Sequence, residues 1–108
     1  MARQMKSEKF GLKHAELEKI AGIISKFQEV EKAVLFGSRA KGNFKAFSDI
    51  DIAIWQPGKE DIAFQLSGKL NDETLMPYKF DILNYYALKN VDLIEHINRV
   101  GKIIYLRE

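Results

Sequence analysis

Residues Asp49 to Trp55 read Asp-Ile-Asp-Ile-Ala-Ile-Trp, and no other stretch restricts the possible folds so tightly. Side chains two apart on a strand share a face. A strand here sets Ile50, Ile52 and Ile54 on one side and Asp49, Asp51 and Ala53 on the other. The isoleucine side is a seat for helices. The opposite side carries two like charges whose Cα atoms stand about 6.5–7 Å apart. Such carboxylates repel unless a cation lies between them or one binds a proton. Taken alone, the pair also fits the solvent side of an edge strand.

The flanking segments supply the rest of a sheet. From His14 to Val30, Leu17, Ile20, Ile24 and Phe27 recur at spacings of three and four, which predicts an amphipathic helix. Ala33 to Phe36 is a continuous apolar run that stops at Gly37, the pattern of a buried strand. Ser38 to Lys41 can make a short helical turn, and the aspartate strand ends at Gln56-Pro57-Gly58. Ile62, Leu66 and Leu70 predict a helix over Asp61 to Leu70, weakened by Gly68. A third strand is expected from Tyr78 to Asn84. Val91 to Val100 reads as a helix stopped by Gly101, and Lys102 to Leu106 as a fourth, edge strand.

The order α-β-α-β-α-β-α-β predicts a single α/β (α+β) domain. It would have a mixed sheet of about four strands with helices packed on one face. Twelve residues separate Phe36 from Asp49, short for a parallel crossover, so the first two strands should be antiparallel neighbours.

Bulk properties narrow the function. At 108 residues and 46% hydrophobic, the chain can bury one core but not two. No apolar run approaches the roughly 18 residues of a membrane span. The N-terminus has no apolar segment of the signal-peptide kind, and residues 1–12 are expected to be frayed. Without cysteine, disulfides and thiolate metal sites are excluded, which fits a cytoplasmic location. A formal charge of +2 is too weak for a nucleic-acid footprint, and Arg3, Lys6, Lys9 and Lys13 read as a solvated end. His14 and His96 have no partner at ligand spacing and read as helix-surface residues.

Two further features bear on the aspartates. In the third strand Asp81 alternates with Phe80 and Ile82, so it emerges on the aspartate side if those two join the isoleucine face. Three carboxylates on adjacent strands can hold two divalent ions, an arrangement suited to phosphoryl chemistry. Mg²⁺ is the apt ion because it takes hard oxygen ligands together with substrate phosphates. Upstream lies Gly37-Ser38-Arg39-Ala40-Lys41-Gly42. A glycine turn that opens a helix directs free N–H groups at an anion. Ser38 can donate to a phosphate oxygen, and Arg39 or Lys41 can neutralise a triphosphate. The same residues would equally serve as a plain helix cap with solvated cations. Asn43-Phe44 stands where a P-loop needs Lys-Ser/Thr, and no GxGxxG occurs, so neither of those nucleotide motifs applies.

Gly-Ser-Arg-Ala-Lys-Gly, the spacer Asn-Phe-Lys-Ala-Phe and Ser-Asp-Ile-Asp-Ile-Ala-Ile together resemble the DNA polymerase β-like nucleotidyltransferase superfamily, and its minimal (MNT) members most of all. Phe80-Asp81-Ile82-Leu83 is similar to the strand that supplies that family's third carboxylate. The resemblance implies that Gly37 and Ser38 hold the phosphates of ATP or another nucleoside triphosphate, with Arg39 and Lys41 as clamps. It implies that Asp49, Asp51 and Asp81 bind two Mg²⁺ ions, with Mn²⁺ as a substitute. Asp81 would also help deprotonate a hydroxyl acceptor. Lys41 stands where many members have arginine, which keeps the charge but loses the bidentate fork.

Minimal members commonly act as antitoxins on a helical HEPN partner, in some cases by attaching AMP to it. The resemblance therefore implies a toxin–antitoxin role, with a nucleotide- or partner-binding module of little turnover as the alternative. It leaves a homo-oligomer open and gives no reason to expect a membrane or nucleic acid. Phe44, Phe47, Tyr85 and Tyr86 are candidates for a docking surface, and packing beside the site is expected to absorb at least two of them.

Overall fold

The computed structural model describes residues 8–108. A small hairpin opens it, with β1 (Glu8–Lys9) paired antiparallel to β2 (Leu12–Lys13). There follow α1 (His14–Ser25), β3 (Lys32–Phe36), α2 (Ser38–Lys41), β4 (Ile50–Trp55), α3 (Ala63–Glu73) and β5 (Phe80–Asn84). A 3₁₀ turn (Tyr85–Ala87), α4 (Val91–Val100) and β6 (Lys102–Leu106) complete the chain. The four long strands form one mixed sheet in the order β5-β4-β3-β6. β3 is antiparallel to both β4 and β6, whereas β4 and β5 run parallel. The expected antiparallel pairing of the first two long strands is therefore present, and β6 is an edge.

Side-chain alternation sorts the sheet into two faces. Ala33, Leu35, Ile50, Ile52, Ile54, Phe80 and Ile82 pack against Ile20, Ile23 and Ile24 of α1 and Leu66 and Leu70 of α3. Burying that much branched aliphatic surface is the main stabilising term of the fold. The other face is covered differently. Val34, Phe36 and Ala53 meet Ile97 of α4, with Trp55, Leu83, Tyr85, Leu88 and Leu93 around them. Helices thus lie on both faces, which corrects the expectation of one. α1 and α3 take the isoleucine face, and α4 crosses the aspartate face. The apolar positions Ala53, Val34 and Phe36 there require a cover of their own.

Several boundaries shift for identifiable reasons. α1 ends at Ser25 rather than Val30 because Arg107, far along the chain, donates to the carbonyls of Ser25 (2.9 Å), Phe27 (3.1 Å) and Val30 (3.1 Å). Those carbonyls are satisfied without further helical turns. α3 starts at Ala63, whose N–H is taken by the Asp61 carboxylate at 2.9 Å, and it tolerates Gly68 well inside its length. β5 begins at Phe80 rather than Tyr78: the Phe80 N–H is taken by the Asn71 side chain at 3.0 Å, and pairing with β4 starts at that residue. Residues 8–12, at the end of the segment expected to be frayed, form the hairpin, and Leu12 is fully buried in the core; residues 1–7 lie outside the described residues. Arg3 and Lys6 of the basic cluster lie outside the described residues, while Lys9 and Lys13 are exposed.

Where α4 hands over to β6, Gly101 has no room for a side chain. A Cβ there would collide with the Ile97 carbonyl and with Val34. Gly101→Ala is therefore expected to destabilise the protein by about 1–3 kcal/mol through overpacking. Urea denaturation would read this as a lower midpoint with unchanged slope.

Candidate active site

β4 has β5 on one side and β3 on the other, so its two aspartates do not belong to an edge strand. Asp51 is in direct parallel register with Asp81 and in antiparallel register with Phe36. Laterally paired residues share a face, so Asp51 and Asp81 project to the same side, about 5 Å apart along the hydrogen-bonding direction. Asp49, two residues before Asp51, joins them at the end of the strand. Asp49 and Asp81 are exposed and Asp51 is half-buried.

This crowding has an electrostatic signature. Burial, then the charge of Asp81, then that of Asp49, raise the pKa of Asp51 from 3.8 to about 6. Among the described residues, no three His, Cys, Asp or Glu side chains are already gathered into a ligand cluster. The carboxylates feel each other through space, and side-chain rotation would be needed for them to converge on one ion.

The glycine bend closes directly on this carboxylate. Gly37 has φ of 78°, a conformation that side chains resist, and a Cβ there would strike Oδ2 of Asp51. Only glycine lets the backbone pass so close to the acid. Gly37 opens α2, whose intrahelical bonding begins with the Lys41 N–H donating to the Gly37 carbonyl at 3.1 Å. The N–H groups of Ser38, Arg39 and Ala40 therefore have no partner inside the helix. Ser38 is half-buried, and its carbonyl accepts from Gly42 (2.9 Å) and Asn43 (3.2 Å). Lys41 is exposed in the same turn.

Arg39 departs from its expected place among the phosphate contacts. It is 2% exposed, and its donors are already engaged. Nε and Nη2 donate to the Ser48 carbonyl at 3.1 and 2.9 Å, and Nη1 donates to the Phe10 carbonyl at 2.9 Å. The guanidinium lies 4.5 Å from the Tyr78 ring centroid and 5.2 Å from that of Phe44. α2 packs against the core through this side chain, which turns it inward and away from the carboxylate face. Arg39 is a strut that ties the hairpin and the residue before Asp49 to the glycine loop. No local pattern announces this role, because its partners lie 29 and 9 residues away.

The second unforeseen residue is His96. Its Nε2 accepts from the Gly37 N–H at 3.1 Å, and its ring meets Phe36 edge-on at 6.1 Å between centroids. His14, by contrast, is a surface residue of α1 beside Glu18. Of the four aromatic candidates, two are absorbed by packing. Phe44 flanks Arg39, and Tyr85 stacks on Trp55 at 4.1 Å. Phe47 and Tyr86 remain open at 72% and 57% exposure.

A family model described as polymerase beta nucleotidyltransferase matches residues 18–108. A probable protein adenylyltransferase MntA from Haemophilus influenzae is 30% identical over 100 residues, covering 90% of this chain and 85% of the relative. Among solved structures, a toxin–antitoxin with AMP-PNP aligns with a TM-score of 0.68 at 21% identity, covering 90% of this chain and 76% of that one. A tri-AMPylated Shewanella oneidensis HEPN toxin in complex with MNT antitoxin aligns at 0.65 and 20% identity, covering 87% and 72%. At such identities the two structures speak for the fold.

Two expectations follow from the site's construction. Asp51 holds its proton more tightly in the fold than in the unfolded chain, because its pKa rises from 3.8 to about 6. Its favourable contribution is complete below the unfolded value and is lost as pH rises through about 6. Metal-free Asp51→Asn should therefore melt higher than the parent near about pH 8, by at most about 2 kcal/mol after solvent screening, with the gain vanishing near about pH 4. Thermal melts in chelator at the two pH values check this. Arg39→Ala strips hydrogen bonds from the Phe10 and Ser48 carbonyls and empties the space between two rings. A loss of about 2–4 kcal/mol in chemical denaturation is expected.

Proposed function

The chain belongs to the polymerase beta nucleotidyltransferase family, and we propose that it transfers AMP from ATP to a hydroxyl of a HEPN-type helical partner, as the antitoxin of a toxin–antitoxin pair. The observation that carries the reading is the parallel register of Asp51 with Asp81, on one face and beside the cramped Gly37 bend. That is the arrangement an enzyme of this family needs to bring acidic groups and a nucleotide's phosphates together. The curated relative's adenylyltransferase name supports AMP as the transferred group. The AMPylated HEPN toxin in one neighbouring complex supports the acceptor.

Nucleotidyltransferases of this family generally use divalent metal ions. The donor set here fits such an ion in its chemistry. Three carboxylates share a face, and burial, then the charges of Asp81 and Asp49, raise the pKa of Asp51 to about 6, a penalty that a cation would offset. Asp49, Asp51 and Asp81 are the proposed ligands, and two Mg²⁺ ions the proposed complement, replaceable by Mn²⁺. When bound, the metal supplies charge neutralisation at the phosphates and a lowered acceptor pKa.

The chain's own groups do the rest. Ser38 and the free N–H groups at the start of α2 receive the triphosphate, with exposed Lys41 as the cation within reach of its tail. Asp81 takes the proton of the acceptor hydroxyl. The hydroxyl oxygen forms a bond to the α-phosphorus in line with the bond that breaks, and pyrophosphate departs. Gly37 offers its close approach to Asp51 rather than its N–H, which His96 already holds. A binding module with little turnover would keep the same carboxylates, so transfer itself must be measured.

Asp51→Asn is expected to abolish Mg²⁺-dependent transfer of labelled AMP to the partner while leaving the circular-dichroism spectrum unchanged. Mg²⁺ with ATP should raise the melting temperature of the parent by mass action. An unshifted melt at millimolar ligand would falsify the reading.

A further inference from the structure

We infer that His96 is a positioning residue of the nucleotide site, holding the Gly37 bend in the shape that receives the phosphates. The inference rests on the functional reading above and extends the site to α4. Gly37 sits at φ 78° and ψ −156°, a conformation that L side chains rarely adopt. A glycine in such a state is costly to fix because its unfolded freedom is large. What fixes it on the α4 side is one hydrogen bond, from the Gly37 N–H to Nε2 of His96 at 3.1 Å, across 59 residues of chain. To accept there, His96 must be neutral with its proton on Nδ1.

The ring is itself held. It is half-buried, edge-on to Phe36 at 6.1 Å. The next residue of α4, Ile97, is 2% exposed against Val34, Phe36 and Ala53. The Asn90 side chain caps the start of the helix by accepting from the Leu93 N–H at 3.2 Å. A packed helix thus carries a single polar group to the bend that opens α2. The neighbouring peptides hold Ser38 and the free N–H groups of that helix, and Asp51 lies under the same glycine. Releasing Gly37 would let these phosphate donors drift relative to the carboxylates. His96 touches none of the reacting atoms; it acts through the orientation of one peptide.

The test uses the full chain with His96→Ala and His96→Gln, the second because a glutamine oxygen can reach about where Nε2 lies. Three quantities are measured: hydrogen exchange at the Gly37 amide, the dissociation constant of Mg²⁺·AMP-PNP, and the melting temperature without ligand. The expected result for His96→Ala is fast exchange at Gly37 and binding weakened roughly five- to tenfold, the size of one lost neutral hydrogen bond. Its melting temperature should stay within a few degrees of the parent. His96→Gln should restore both protection and affinity to within about threefold. Unchanged or tighter nucleotide binding in His96→Ala, with the parent binding normally, would overturn the positioning role and leave the functional reading standing. Equal weakening by both variants in step with a lower melting temperature would also overturn it, as a merely structural contact behaves that way. A parent that neither binds Mg²⁺·AMP-PNP nor transfers AMP would bring down the functional reading and this inference together.

Discussion

A half-buried carboxylate wedged against a residue with no side chain is the constraint from which the rest of the active face follows. Asp51 sits in a central strand, where neither neighbour can be removed without dismantling the sheet. Its oxygen occupies the space a Cβ would need at position 37, and the positive φ at that position favours glycine as well. Gly37 adopts a positive-φ bend there, and α2 starts from it. The loop from Gly42 to Asp49 has to bring the chain back to the sheet as β4, the antiparallel neighbour of β3. Arg39 sets the end point of that return by gripping the Ser48 carbonyl with two donors. A fully buried guanidinium with carbonyls and rings for company is expensive to desolvate. Its retention makes sense as a device that fixes where the chain re-enters β4 next to Asp49.

Much of this was readable from the chain because it is local and periodic. The alternation Asp-Ile-Asp-Ile sorted the two faces of β4, and alternation in Phe80-Asp81-Ile82 then put Asp81 with Asp51, as the register shows. The limits of α4 and β6 coincide with Val91–Val100 and Lys102–Leu106 because Gly101 separates them sharply. What could not be read depends on contacts between distant segments. Nothing around Ser25 announces that Arg107 will satisfy its carbonyl, so the helix signal ran on to Val30. Arg39 looked like a phosphate ligand because cations beside a Gly-Ser turn usually face solvent. Burial was decided by Phe10, Phe44, Ser48 and Tyr78, which no spacing rule connects. His96 reads as a surface residue because no residue at ligand spacing partners it, and its actual partner, the Gly37 N–H, lies 59 residues away. The apolar residues Val34, Phe36 and Ala53 on the aspartate side were the signal that a helix must lie there too.

The two faces divide the work of the molecule unequally. The isoleucine face holds α1 and α3 mainly by apolar contact, and the one guanidinium buried beside it, Arg39, is paired with the Phe10 and Ser48 carbonyls. The aspartate face is built from compromises: like charges in register, a bend only a glycine adopts readily, and a helix that covers only part of it. Burial and the two flanking acids already push Asp51 far toward its neutral form, so this face destabilises the folded chain as pH rises. A fold can tolerate that deficit only if the opposite face overcompensates, as its fully buried isoleucines and leucines do. In the proposed function the deficit is also the means of binding, because a divalent cation is attracted by the same repulsion that the bare fold must endure. Stability and ligand affinity are then opposed at Asp51 and independent almost everywhere else in the sheet. Substitutions that relieve the crowding should strengthen the bare domain at the expense of its chemistry, a trade expected where a site is preorganised for charge it does not itself supply.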